Sequence, residues 1–160
     1  MRNTPDAVRY SPAVLPHSGG AVAIWTGSEL TGRVLEHELL ARLPGWRAVV
    51  CDPRESLSRR VARGATLAVV CTGERPPAFL TGPVVLTGIR VTGGVPPALA
   101  LLAARAALVS TRDPLSRERL RDAGVAGDID VLPHPGVLAH RVVDLESLPA
   151  RRDEIGRAHV

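Results

Sequence analysis

Six short runs of small and branched apolar residues recur along this chain, and most lead into a stretch with helical spacing. They are "AVAIWT" (21–26), "WRAVVCD" (46–52), "ATLAVVCTG" (65–73), the core of "GPVVLTGIRV" (82–91), "ALVST" (107–111) and "DIDVLP" (128–133). A strand that is apolar at successive positions, not at alternate ones, is buried on both faces. Such strands form parallel sheets, whose neighbours must be joined by crossovers, usually helices.

The intervening segments supply the helices. In "GSELTGRVLEHELLARLPG", Leu35, Leu39 and Leu43 share one face at helical spacing, Ser28 can cap the start, and Pro44-Gly45 ends it. His37 falls on the surface of that helix. "PRESLSRRVARG" is a short Arg-rich helix ending at Gly64, and "PPALALLAARAA" (96–107) opens with prolines, which suit a first turn. "PLSRERLRDAG" (114–124) has Asp113 as its N-cap, Pro114 at its first position and Gly124 past its end. Only residues 72–82 join the third and fourth strands, so this crossover holds a single helical turn or has lost its helix. The expected fold is α/β, a Rossmann-like doubly wound parallel sheet of about six strands spanning residues 21–152.

Composition narrows the function classes. Apolar residues make up 45% of the chain, but there are only two Trp, one Tyr and one Phe, so the core is aliphatic. All 20 basic residues are Arg, a bias expected of a GC-rich, bacterial genome. The net charge of +4 is modest and the arginines are scattered, with no basic stripe or stacking aromatics for nucleic acid. Cys51 and Cys71 form no CxxC pair, which argues against zinc and for two buried thiols in a reduced cytoplasm. No apolar run approaches the ~18 residues of a membrane span. Residues 1–20 are Pro/Gly-rich with no signal-peptide core and read as a loose tail. The last stretch, "DEIGRAHV" (153–160), continues no pattern, and its last seven residues back-translate as GAG ATC GGA AGA GCA CAC GTC, close to a sequencing adapter. It is expected to be non-native, with a second domain of the same chain lost beyond it.

The segment "VSTRDPLSRERLRDAGV" (109–125) resembles the strand–RD–xxS–xxxL–xxxGV segment of polysaccharide pyruvyl transferases. "GPVVLTGIRVTGG" (82–94) is similar to that family's strand leading into a Gly-rich turn, "IDVLPHPGVL" (129–138) to its strand–PDP–aliphatic segment, and "TGSEL" (26–30) faintly to its N-terminal turn. The family has two Rossmann-like halves, as in GT-B glycosyltransferases, with the active site between them. The resemblance implies transfer of a pyruvyl group from phosphoenolpyruvate to a sugar of a cell-surface glycan, with no further cofactor or metal. It marks Arg112, Asp113, Ser116, Arg90, Gly88 and Gly93 as anion-binding residues, and His134 as a candidate acid or base. Its departures are a single glycine in "CTGERPP" (71–77) and His134 where the family has Asp. Alternatives are a GT-B-type glycosyltransferase domain, or a degenerate domain that binds a glycan or partner without catalysis.

Phosphoenolpyruvate carries a phosphate and a carboxylate, and both favour Arg forks and backbone N–H groups. Arg112 ends the fifth strand where the next helix begins, on the sheet edge at which α/β proteins bind ligands. The same residues also read as an ordinary helix start, with Arg112 pairing in solvent with Asp113 or Asp122. No GxGxxG follows the first strand, which argues against an NAD site, and no P-loop, HExxH or GxSxG occurs.

Overall fold

A computed structural model describes residues 19–142. The expected tail up to residue 18 and the adapter-like stretch 153–160 lie outside the described residues. The chain runs β1 (Ala21–Trp25), α1 (Glu29–Arg42), β2 (Arg47–Cys51), α2 (Ser56–Arg63), β3 (Leu67–Val70), β4 (Val84–Ile89), α3 (Pro97–Arg105), β5 (Leu108–Thr111), α4 (Pro114–Asp122) and β6 (Asp130–Val131), then a 3-10 helix, Pro135–Arg141. The six strands form one all-parallel sheet in the order β2-β1-β3-β4-β5-β6. This is the expected α/β, Rossmann-like doubly wound fold.

Alternate residues of the strands feed two separate cores. Ala23, Trp25, Val70, Leu86 and Val109 pack with Ala62 of α2, Leu99 and Leu102 of α3, and Leu120 of α4. Val22, Ile24, Leu67 and Val69 pack instead with Leu35 and Leu39 on the apolar face of α1 and with Leu43, its C-cap. Beside α1 lies the 3-10 helix, pinned by Arg141 Nη1 donating to Glu38 at 3.0 Å.

Each rightward step across the sheet crosses the α2–α4 face, as right-handed connections require. The step from β3 to β4 does so without a helix. Pro76 and Pro77 remove backbone donors there and block helical propagation. Leu80 still enters the core, and Arg105 of α3 donates to the carbonyls of Leu80 and Gly82, so the segment is held as an extended strap.

Caps form as the sequence requires. Ser28 Oγ accepts the Thr31 N–H at 3.3 Å, and Asp113 Oδ1 accepts the Ser116 N–H at 2.7 Å. Gly124 takes the left-handed conformation (φ 86°) just after α4. The sixth strand is only two residues long, shorter than the run 128–133, because it lies at the sheet edge and pairs with β5 alone. Gly20, at the end of the expected tail, already accepts the Arg47 N–H at 2.9 Å and so belongs to the sheet.

Candidate functional site

The loops after β3, β4 and β5 enclose an open cleft of about 600 Å³ at the carboxyl edge of the sheet. Its charged lining residues are Arg75, Arg90, Arg112 and Glu74. The cationic excess faces the side of the sheet where α/β folds take their ligands.

The β5–α4 seam is tied to the end of β4 by a buried hydroxyl. Ser116 is fully buried; its Oγ accepts the Val91 N–H at 2.9 Å and donates to Asp113 Oδ2 at 2.9 Å. Arg119 adds a bond to the Val91 carbonyl. Asp113 holds its carboxyl below the usual carboxylate range, first through the Ser116 N–H and hydroxyl, then through the positive fields of Arg90 and Arg112. Ser116 and Asp113 therefore build the seam, and neither lines the cleft.

Arg112 makes no ion pair with Asp113 or Asp122 among the described residues. Its Nε donates instead to the Gly88 carbonyl at 3.3 Å, and the residue lines the cleft. Gly88 makes that contact possible. It sits at a register shift in β4 with φ 61°, and a Cβ there would lie 2.9 Å from Pro135 Cδ. Only glycine meets both demands. Gly88 is a buried backbone support, while Arg90, exposed at the end of β4, and Gly93 line the cleft directly.

His134 packs against Gly88, not into the cleft lining. Its Nδ1 accepts the Gly136 N–H at 3.1 Å, which places the proton of the neutral ring on Nε2. Burial, and then the charge of Arg112, push its pKa below the ordinary 6.5. His37 is exposed on α1, as its position in the helix requires.

Several residues carry no local sequence signal but shape the site. Arg75 takes a left-handed conformation (φ 44°), and its carbonyl accepts the Trp25 indole N–H at 3.3 Å. The single glycine of "CTGERPP" has a steric reason: a Cβ on Gly73 would lie 2.6 Å from the Arg90 carbonyl oxygen. Cys71 also lines the cleft, but burial pushes its thiol up to about 12, against a smaller opposing pull from Arg112. It is no nucleophile at neutral pH.

Among the described residues no group of three or more His, Cys, Asp or Glu side chains is placed to hold a metal ion. No helix among them is long and apolar enough to cross a membrane. No protein-family model, curated protein or solved structure matches the chain.

Proposed function

We propose that the cleft between β3, β4 and β5 binds a small ligand with two anionic groups, and that the chain is the Rossmann-like half of a polysaccharide pyruvyl transferase-like protein, with phosphoenolpyruvate as that ligand. One observation carries the anion reading: Arg75, Arg90 and Arg112 face one cleft and none is in an ion pair among the described residues. Planar guanidinium forks suit phosphate and carboxylate alike. The resemblance of 82–94 and 109–138 to pyruvyl transferase segments selects the donor within that class. On this reading Arg112, steadied by the Gly88 carbonyl, orients one anionic group, and Arg90 and Arg75 take the other. The acceptor is a sugar of a cell-surface glycan.

A second reading, binding without catalysis, is favoured by the placement of His134. The candidate proton donor packs on β4 outside the cleft lining, and the Cys71 thiol is held protonated.

The test is a phosphoenolpyruvate titration followed by amide shifts. Affinity near 1 mM, about −4 kcal/mol, is expected for a shallow open cleft. Shifts should map to residues 72–76, 90–94 and 112. Arg112→Ala should weaken binding by about tenfold or more, since a charge-assisted bond contributes about 1.5–3 kcal/mol. Shifts confined elsewhere, or unaltered in Arg112→Ala, overturn the assignment.

A further inference from the structure

The strand order reverses at β1, between its neighbours β2 and β3. In open parallel sheets the crevice outside the strand ends at such a reversal is a preferred ligand site. That crevice is not the one lined by Arg90 and Arg112. It consists of two adjoining clefts of about 240 and 540 Å³, which share Pro53, Arg54 and Arg75.

The two clefts offer different chemistry. In the smaller one Asp52, at the end of β2, is clamped by Arg54, whose Nε and Nη2 reach it at 2.9 and 2.6 Å. Arg54, through its side chain and then its backbone N–H, holds the Asp52 carboxyl down to about 2, so it is an ionised acceptor. Its side chain is still 28% exposed. In the larger cleft the half-buried Phe79 ring meets Trp25 edge-on, with centroids 5.6 Å apart, and the Arg63 guanidinium lies over the ring 5.1 Å from its centroid. Arg59 and Arg75 line the same cleft, and neither is in an ion pair among the described residues.

A bare anion would use only the guanidiniums and would be repelled by Asp52. An uncharged sugar would leave Arg59 and Arg75 without a counter-charge. A ligand with vicinal hydroxyls, a planar ring and a phosphate chain uses Asp52, Phe79, Arg59 and Arg75 together. We propose that this switch-point crevice binds a nucleoside diphosphate, with the ribose hydroxyls donating to Asp52, the base against Phe79 and Arg59, and the phosphates on Arg75. The crevice meets the Arg90–Arg112 cleft at Arg75, which the two ligands would share, whereas Asp52, Arg59 and Phe79 line the crevice alone.

The two tryptophans allow a direct readout. Trp46→Phe leaves Trp25, which lines the larger cleft, as the sole indole. In this variant of the 160-residue chain ADP and UDP are titrated beside inorganic diphosphate, following Trp25 emission and heat. At least one nucleotide should quench Trp25 saturably and bind about tenfold or more tighter than inorganic diphosphate, the margin of one stacked base. Arg59→Glu, at an exposed position, should remove the binding. Phe79→Leu, which keeps an apolar side chain in the strap, should bring the nucleotide down to the diphosphate level. Arg112→Ala should leave nucleotide affinity unchanged while lowering that for phosphoenolpyruvate. Equal affinity for inorganic diphosphate, no saturable binding at millimolar nucleotide, insensitivity to Arg59→Glu, or loss in Arg112→Ala would each overturn the proposal.

Discussion

Ser116 tests whether the β5–α4 seam is built for the fold or for the ligand. Its side chain is fully buried, and its hydroxyl is the partner of the Val91 N–H, in a residue only 5% exposed. Ser116→Ala keeps the helix start, because Asp113 Oδ1 still accepts the residue 116 N–H at 2.7 Å. Asp113 Oδ2 loses a donor but is close enough to solvent to find another. The Val91 N–H has no such recourse, and a buried donor left unpaired costs about 1–3 kcal/mol. Urea unfolding followed by circular dichroism reads this directly. With a slope of about 2 kcal/mol/M, the midpoint should fall by about 0.5–1.5 M at unchanged slope. Arg112→Ala is the counterpart. One long bond from an exposed guanidinium contributes little, so its unfolding free energy should stay within about 0.5 kcal/mol of the parent, while phosphoenolpyruvate binding weakens about tenfold or more. The reasoning fails if Ser116→Ala unfolds at the parent's midpoint and instead loses the ligand shifts. The hydroxyl would then be a ligand contact.

Two further outcomes follow from the same corner of the molecule. Gly88→Ala forces a β-carbon into a left-handed position and against Pro135, and should destabilise by about 1–3 kcal/mol; a parent-like urea midpoint would show that the bulge does not need glycine. The pKa of His134 is lowered in the fold, so the native state favours the neutral ring. Its contribution is present above the ordinary value near 6.5 and is lost as pH falls through the lower native value. Arg112→Ala removes part of the depression, so the pKa should rise toward 6.5 without reaching it, since burial is the larger cause. Ring-proton NMR titrations of both proteins check this, and an unmoved pKa would place Arg112 too far away to act.

Much of the fold was legible because its signals are local. Runs apolar on both faces identified parallel strands, and the spacing of Leu35, Leu39 and Leu43 gave α1, which covers the second face. Ser28, Asp113, Pro114 and Gly124 marked the helix ends they occupy. The weak link between β3 and β4 was visible as a proline pair. That an extended strap could replace a helix was not, because its hold comes from Arg105, in a helix more than twenty residues away. The 3-10 helix after Pro135 was missed for a similar reason: its partner is Glu38 of α1.

The candidate site was legible only where one segment carries it. Arg112 could be singled out because a strand, a cation and a helix start meet within a few residues, a conjunction that local sequence records. Ser116 shows the limit of that reading. Its place in the motif is the same whether it touches a ligand or the Val91 backbone, and only the position of β4 decides. Arg54, Arg59, Arg75 and Phe79 were beyond reach, since each is one Arg among 20 or a lone Phe in a proline-rich strap. What makes them neighbours is that β3 lies beside β1 on the side opposite β2, which brings the loops after β2 and β3 together over β1. Strand order is fixed by which faces the crossovers cover, and no single segment encodes it. In a chain whose only cationic residue type is Arg, identity carries almost no information about role. What distinguishes the arginines is what each guanidinium lacks: at the carboxyl edge Arg59, Arg75, Arg90 and Arg112 have no ion pair among the described residues.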